Sequence, residues 1–451
     1  MLLEESGIEW IGTQPSKWKV DRIKDVIPKV FGGGTPDSSE PEYWEDGSIV
    51  WITPTDFQDY ENELLITNSR RKITEKGLKS CSAILLPAGT VIMASRATIG
   101  DVKIAGTELC TNQGFISFVC EKLSNNFFYY LIKAYLGDLF VNIAPGTTFK
   151  EIGRNAVKKE YIVFPGIDEQ RRIAAYLDKT CAAIDTSIEK KQNQIETLNA
   201  LRKSIIHKAV TRGLDDSVEL KESWHEWLGT IPSKWKLIAL KRIVSTKITD
   251  GPHETPELSD EGIQFISAEA IKNNQIDFDL RRGFISLELH QQYCRKCKPQ
   301  KRDIFIIKSG ATTGNVAYVD VDFEFSIWSP LALVRCNEHI AFYKFIFYVL
   351  LTDVFRKQVE LSWSFGTQQN IGMRVIERIK VPIPPIAEQK KIAAFLDDET
   401  FRISEIRANI ESQISTLTAY RKSLIHECVT GKRRITETDV ARIKTNDNSE
   451  Q

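Results

Sequence analysis

The tightest group of metal-binding side chains in this sequence is Cys294 and Cys297, with His290 just before them. A structural zinc site needs four such ligands, usually from two closely spaced pairs. The other six of the eight cysteines form no second Cys-x-x-Cys pair. We therefore predict no metal site in this chain and interpret these cysteines as incidental residues on a helix.

Sequence motifs for other kinds of catalysis are missing as well. The chain lacks the phosphate-binding GxxxxGK[S/T] motif, the GxSxG nucleophile motif, the HExxH zinc motif and the Asn/Asp-Pro-Pro-aromatic motif of amino-methyltransferases. "FGGGTP" (31–36) has no strand–helix context for a nucleotide and is predicted to be a flexible loop. The sequence thus predicts a binding and scaffolding protein with no active site of its own.

Charge and length limit the classes of function. The 451 residues carry equal numbers of acidic and basic side chains. A protein that binds DNA alone usually has a basic excess, because neutralising phosphates releases counterions. Either this chain binds no nucleic acid, or its basic residues are clustered, or a partner supplies much of the phosphate contact. The length favours two domains. Without a long apolar run or a secretory signal, we expect a cytoplasmic location and no membrane partner.

The sequence repeats itself once, with the matching segments in the same order. "EWIGTQPSKWKV" (9–20) returns as "EWLGTIPSKWKL" (226–237), "DEQRRIAAYLDKT" (168–180) as "AEQKKIAAFLDDE" (387–399), and "LRKSIIHKAVTRG" (201–213) as "YRKSLIHECVTGK" (420–432). The middles share only islands, such as "SRATIGDV" (95–102) with "SGATTGNV" (309–316) and "GTTFKEIG" (146–153) with "GTQQNIG" (366–372). We interpret the matched parts as serving both halves alike and the middles as two versions of another role; neutral drift is the alternative.

Two long helices are predicted at residues 168–212 and 387–430, which contain no proline or glycine; Gly213 and Gly431 follow as C-terminal caps. Their apolar residues recur at coiled-coil spacing. We predict that the helices pair along this seam, since an apolar stripe needs a cover; packing of each helix on its own half is the alternative. The predicted seam residues are Ile173, Leu177, Ile184, Ile188, Ile195, Leu198, Ile392, Leu396, Ile403, Ile406, Ile410, Leu417 and Leu424.

The rest of each half alternates turn residues with short β-branched and aromatic runs, such as "GTVIMAS" (89–95) and "DIFIIKS" (303–309). The predicted fold class is α+β: two mixed α/β domains in tandem, separated by two long antiparallel coiled-coil helices with pseudo-two-fold symmetry. The predicted boundaries are 1–167 for the first domain, 168–213 for its helix, 214–386 for the second domain, 387–433 for its helix and 434–451 for a flexible tail. Within that tail, "ETDVARI" could add a short helix.

The paired openings, helix starts and helix ends resemble the DNA specificity subunits of type I restriction–modification systems, over about residues 8–434. The resemblance implies two target-recognition domains, each reading half of a split double-stranded DNA target, with the helices setting the gap. It also implies that the repeated helical segments dock two modification (methyltransferase) subunits, and that restriction (endonuclease and translocase) subunits join through the complex.

Under that resemblance this chain is non-catalytic, and S-adenosylmethionine, ATP and Mg are expected on the partner subunits. The nearest alternative is a specificity subunit of a related multi-subunit restriction–methylation system. A fused or solitary methyltransferase and a coiled-coil adaptor without DNA function are the other classes.

The resemblance directs the search for DNA contacts to the two diverged domains. Arginine, amide and hydroxyl side chains in loops are the groups that read base edges. The candidates are Arg70, Arg71, Lys72, Arg96, Thr98, Asn112, Gln113, Thr147 and Thr148 in the first half, and Lys308, Ser309, Thr312, Thr313, Gln368, Gln369 and Asn370 in the second. The glycine–threonine islands could equally be turns that build each domain, and shared islands suit phosphate contacts better than base readout.

Overall fold

A computed structural model describes residues 3–8, 11–60, 63–147, 150–362 and 370–441. We call residues 3–166 domain 1 and residues 214–385 domain 2. The strands of domain 1 are β1 (Leu3–Glu5), β2 (Thr13–Pro15), β3 (Lys19–Arg22), β4 (Lys29–Gly32), β5 (Ile49–Ile52), β6 (Leu65–Ile66), β7 (Lys72–Ile73), β8 (Val91–Ala94), β9 (Val102–Ala105), β10 (Cys110–Thr111), β11 (Phe115–Val119) and β12 (Tyr161–Phe164). Its helices are α1 (Ile23–Val26), α2 (Pro54–Asp59), α3 (Glu75–Lys79), α4 (Asn125–Leu131), α5 (Gly137–Ile143) and α6 (Arg154–Val157), and α7 (Ile167–Arg212) follows.

Domain 2 has the same kind of mixed architecture. Its strands are β13 (Leu220–Glu222), β14 (Thr230–Pro232), β15 (Lys236–Ala239), β16 (Thr249–Asp250), β17 (Ile263–Ile266), β18 (Ile271–Lys272), β19 (Gln275–Ile276), β20 (Gly283–Ile285), β21 (Ile304–Ile307), β22 (Val316–Tyr318), β23 (Ser326–Ile327), β24 (Leu331–Val334) and β25 (Lys380–Ile383). Its helices are α8 (Leu287–Cys294), α9 (Tyr343–Leu350), α10 (Asp353–Glu360) and α11 (Met373–Arg378), and α12 (Ile386–Val429) follows.

The two domains share a sheet plan despite their different sequences. Domain 1 orders its main sheet β4-β11-β8-β9-β6, and domain 2 orders its own β16-β24-β21-β22. A smaller sheet has a central strand with one parallel and one antiparallel neighbour: β10-β5-β7 in domain 1 and β23-β17-β20 in domain 2. The expected α+β class, with two mixed domains and two long helices, is therefore confirmed.

The central strands are apolar along their whole length because both of their faces are covered. In β8, Val91 and Met93 join the core that contains α4, whereas Ile92 and Ala94 join a second core on the opposite face. Side chains alternate between the faces of a strand, so a fully buried strand needs no polar positions. Strand β21 divides its four apolar residues between two cores in the same way.

The chain forms two compact units, and each long helix contributes to both. Unit 1 comprises residues 1–191 and 412–451, and unit 2 comprises residues 192–411. In unit 1 the first half of α7 meets the last half of α12: Ile173 and Leu424 lie in one core, and Arg421 Nε is 2.9 Å from Asp185 Oδ1. This geometry makes the helices antiparallel, as predicted.

Both packing alternatives for the long helices are realised together. The cores that contain their buried seam residues also contain residues of the adjacent domain, such as Phe127 in unit 1 and Phe345 in unit 2. Seam positions Ile195 and Leu198 are half-buried. Ile406 is 50% exposed, whereas Ile403 and Ile410 are buried. The predicted seam position at Ile406 is therefore wrong, because the seven-residue step from 403 to 410 passes it by.

In each unit, the tryptophan of the repeated opening segment packs against the glycine that follows a long helix. Trp18 lies against Gly431, which follows α12, and Trp235 lies against Gly213, which follows α7. Both glycines have left-handed φ values, +74° and +80°. Each indole is buried and packs edge-to-face with a phenylalanine ring. The ring centres are 6.4 Å apart in unit 1 and 6.3 Å apart in unit 2.

A glutamine in each repeated helix start fastens the long helix to its own domain by hydrogen bonds. Gln170 is buried, accepts the Ser124 N–H and donates to the Pro165 carbonyl, both at 2.8 Å. Its copy Gln389 accepts the Phe342 N–H and donates to the Pro384 carbonyl, also at 2.8 Å. Buried amide groups must find such partners, so this glutamine fixes each helix start to its own domain.

The structure describes the segment after α12 as far as residue 441. Ile435 is buried in the core of unit 1, and residues 437–441 are helical, within the segment "ETDVARI". The remainder of the predicted flexible tail, residues 442–451, lies outside the described residues. Within the described ranges, no helix combines the length and the apolar character that a membrane span requires.

Candidate nucleic-acid interface

In domain 1, several candidate side chains converge around the end of β10. A Cβ on Gly114 would lie 3.1 Å from both Arg96 Nε and Asn112 Oδ1, so these two side chains flank that glycine. Asn112 Oδ1 accepts the Gly114 N–H at 2.9 Å. Gln113 accepts a hydrogen bond from the hydroxyl of Thr35. The structure thus groups Arg96, Asn112 and Gln113, three of the predicted contacts.

The glycine-rich segment "FGGGTP" is part of this cluster rather than a flexible loop. A Cβ on Gly33 would lie 1.9 Å from the Asn112 carbonyl oxygen, which only glycine avoids. Gly34 donates its N–H to Thr111 and accepts the Trp51 indole N–H, each at 2.9 Å. The prediction of a flexible loop is wrong here, because these contacts are made with residues far along the chain.

The two pairs of shared islands pair with each other in space. In domain 1, Ile152 N donates to Ser95 O at 2.8 Å beside an Arg96–Glu151 bridge. In domain 2, Ile371 N donates to Lys308 O at 2.7 Å beside a Ser309–Asn370 bridge. The same two islands are therefore paired by backbone hydrogen bonds in both domains. Thr98, Thr147 and Thr312 are exposed on these segments, and Thr313 is half-buried. Thr148, Gln368 and Gln369 lie outside the described residues.

Lys308 is buried, and its ammonium group lies 2.5 Å from Asp250 Oδ2. Lys296 approaches the other carboxylate oxygen at 2.6 Å. Burial of Asp250 raises its pKa, but the hydrogen bonds from the two lysines outweigh that and leave the pKa below its usual value. This buried network occupies the ammonium group of Lys308.

The basic residues before β7 are exposed on the smaller sheet of domain 1. Arg70 Nε donates to Asp59 Oδ2 at 2.7 Å, and this hydrogen bond lowers the pKa of Asp59 and raises that of Arg70. The Arg71 guanidinium lies 3.7 Å from the ring centre of Trp44. Lys72 follows as the first residue of β7.

His290 and Cys294 lie on α8 and contact each other. His290 is buried and its Nδ1 lies 2.9 Å from Ser326 Oγ, while Cys294 Sγ is 3.4 Å from His290 Nε2. Over the described part of the chain, no three His, Cys, Asp or Glu side chains are grouped to hold a metal ion.

Comparison with known proteins gives one consistent result. The sequence profile described as "Type I restriction modification DNA specificity domain" matches residues 15–197 and again 232–416. The type I restriction enzyme MjaIX specificity subunit of Methanocaldococcus jannaschii is 29% identical over 449 residues, covering 95% of this chain and 96% of that protein. The EcoBI specificity subunit of Escherichia coli is 22% identical over 318 residues, covering 69% and 66%.

Solved structures share the fold. A chain from a study titled "Structural basis underlying complex assembly and conformational transition of the type I R-M system" aligns with a TM-score of 0.69 at 16% identity, covering 92% of this chain and 98% of that one. The HsdS subunit from Thermoanaerobacter tengcongensis aligns with a TM-score of 0.52 at 15% identity, covering 93% and 98%.

Proposed function

The chain belongs to the type I restriction–modification DNA specificity family, and from this premise we propose that domain 1 and domain 2 each read one half of a split double-stranded DNA target. The observation that carries the proposal is that the family domain occurs twice in one chain. The opening segments, helix starts and helix ends of the two copies are similar in sequence, whereas the loops between them differ. Two different readers on one shared frame are what an asymmetric split target requires.

The deciding experiment combines this chain with the modification subunit encoded beside it. Methylation of genomic DNA by the complex, followed by sequencing of the methylated bases, should give two short fixed sequences separated by a gap of unspecified bases. A single uninterrupted target, or no methylation dependent on this chain, would contradict the proposal.

Both long helices would set the gap between the half-sites. Removing one heptad from each antiparallel partner, residues 192–198 and 407–413, keeps the seam in phase and shortens the pair by about 10 Å. DNA rises about 3.4 Å per base pair, so we expect a gap shorter by up to about three base pairs. A variant complex that keeps the original gap would refute the role of the helices as a ruler.

Two modification subunits would dock on residues that are equivalent in the two halves of the repeat and remain exposed in the folded units. Leu201 and Tyr420 occupy equivalent positions in the repeated helix ends and are 48% and 47% exposed. One exposed apolar side chain is ordinary on a protein surface, so the proposal rests on the repetition of this exposure at equivalent positions of the two helix ends. Leu214 is 47% exposed but has no apolar counterpart in the repeat, which makes it the matched control.

Native mass spectrometry measures this docking directly. We expect L201A and Y420A each to lower the occupancy of one of two modification subunits, and L214A to leave both in place. Full occupancy in a double L201A/Y420A variant would move the docking surface elsewhere without affecting the proposal for DNA reading.

We propose that S-adenosylmethionine, ATP and Mg bind to the partner subunits, as the family resemblance implies. We also propose that the partners supply much of the phosphate contact, because the net charge of this chain is zero. The pure chain should show no S-adenosylmethionine binding by calorimetry and only weak, salt-sensitive DNA binding. Nanomolar binding of DNA by the chain alone at physiological salt would contradict this division of roles.

A further inference from the structure

An Arg–Arg pair precedes the equivalent strand of the smaller sheet in both domains. Arg70 and Arg71 come directly before β7, and Arg281 and Arg282 come directly before β20. Strand β7 pairs antiparallel with β5, and β20 pairs antiparallel with β17. The two pairs therefore occupy the same place in the fold, although the surrounding sequences have diverged.

In domain 1, one arginine of the pair is stacked on a tryptophan that is itself anchored. The Arg71 guanidinium lies 3.7 Å from the ring centre of Trp44. Trp44 donates its indole N–H to the Asp37 carbonyl at 2.9 Å and meets the buried Trp51 edge-on at 5.0 Å. Among the residues that the structure describes, no carboxylate pairs with Arg71.

Domain 2 builds the same arrangement from a different tryptophan. The Arg282 guanidinium lies 4.2 Å from the ring centre of Trp328, and Trp328 donates its indole N–H to the Glu254 carbonyl at 3.0 Å. Unlike Arg71, Arg282 also has a carboxylate beside it, because its Nε lies 3.5 Å from Glu269 Oε1. That contact leaves the two terminal nitrogens of Arg282 as the pair that can donate to a base. Trp44 precedes the central strand β5, whereas Trp328 follows the neighbouring strand β23. The stacking is therefore not one inherited contact: each domain reaches it with its own ring.

The stacked geometry suits a reader of bases. Stacking occupies the flat face of a guanidinium and leaves its N–H groups, which lie in the plane of the group, able to donate in pairs. Guanine presents O6 and N7 as two adjacent acceptors in the major groove, which a guanidinium fork matches. An arginine already held on a ring also loses less side-chain freedom on binding than a free one.

Resting on the proposed function, we propose that Arg71 and Arg282 each read a guanine edge, one in each half of the split target. Each half-site then contains a G·C pair at a position that depends on one arginine. A phosphate contact by the same arginines is the competing outcome, and it differs from base reading because it carries no sequence information.

The test uses the complete complex and a set of duplexes in which each base pair of the split target is changed in turn. The variants R71K and R282K keep the positive charge but lose the planar fork. Each should lower discrimination by about 5- to 150-fold at one G·C position of one half-site, and leave the other half-site unchanged. The matched control is R242K, because Arg242 is exposed in domain 2, is not among the predicted DNA contacts and stacks on no ring among the described residues.

Methylation rates on the duplex set separate the outcomes. A uniform loss over all duplexes, with a weaker salt dependence, would identify phosphate contacts and overturn the inference. Unchanged discrimination in both variants would overturn it as well. A wild-type complex without a split target would instead refute the proposed function, so the two failures are distinguishable.

Discussion

Alanine at Gly431 should destabilise unit 1 more than alanine at Gly213 destabilises unit 2. Both glycines end a long helix with φ values of +74° and +80°, where a side chain costs about 1–2 kcal/mol. Their surroundings differ. A Cβ on Gly431 would lie 2.4 Å from Pro15 Cγ, whereas a Cβ on Gly213 would first meet a Glu388 carboxylate oxygen at 3.3 Å.

The two clashes differ because of what each neighbour can do. The Pro15 ring is tied to the backbone of β2 and is buried, so relieving the overlap must move the strand. Overpacking of this kind costs about 1–3 kcal/mol more. The Glu388 side chain can rotate, although it accepts the Trp235 indole N–H at 3.2 Å. We expect losses of about 2–5 kcal/mol for G431A and about 1–2 kcal/mol for G213A.

Urea titration followed by hydrogen exchange of separate peptides reports on each unit by itself. The control is G153A, because Gly153 has a φ of −86° and open space around its Cβ position; it should change neither unit measurably. Equal losses for the two helix-end variants would refute the reasoning, since the close contact with Pro15 is present only at Gly431. A loss for G431A that appears first in unit 2 would refute it as well.

Two further predictions concern ion pairs and are read from urea midpoints of unit 2 and unit 1. The variant R335M should lower the free energy of unfolding by about 3–5 kcal/mol near pH 7, because the buried Asp303 carboxylate loses its ion-pair partner. Burial raises the pKa of Asp303, so the folded state holds its proton to higher pH than the unfolded chain, and the loss should shrink as the pH is lowered. The double variant D303L/R335M should recover most of the loss. In unit 1, Asp185 pairs with Arg421; in unit 2 the equivalent positions are Ser404 and the half-buried Arg202. The variant S404D should therefore stabilise unit 2 by about 0.5 kcal/mol, and D185S should destabilise unit 1 by as much. No shift of the urea midpoint in either variant would contradict this pairing.

The long helices were predictable from sequence because their signals are local. Seven-residue apolar spacing, the absence of proline and glycine, and a terminal glycine all lie within the helices or beside them. The observed bounds Ile167–Arg212 and Ile386–Val429 differ from the prediction by one residue at each end except at Arg212. Likewise, "GTVIMAS" and "DIFIIKS" do contain the strands β8 and β21.

What sequence reasoning missed depends on contacts between distant segments. Nothing local to "PSKW" indicates that Trp18 covers Gly431, near the other end of the chain. Nothing local to "IIKSG" indicates that Asp250 pairs with Lys308. Alignment of the two halves could not reveal the stacked arginines either, because their tryptophans come from non-equivalent positions.

The closure of the units changes what the internal repeat means. Its most similar residues, including Trp18, Gln170, Gly431 and their copies, are used inside each unit to fix a helix start and a helix end to one domain. Their similarity therefore follows from folding alone and does not by itself indicate a shared partner. Only matched residues that remain exposed, such as Leu201 and Tyr420, bear on docking. By the same logic, features that the two domains build from different residues, as with the stacked arginines, are the better guide to what the domains bind in DNA.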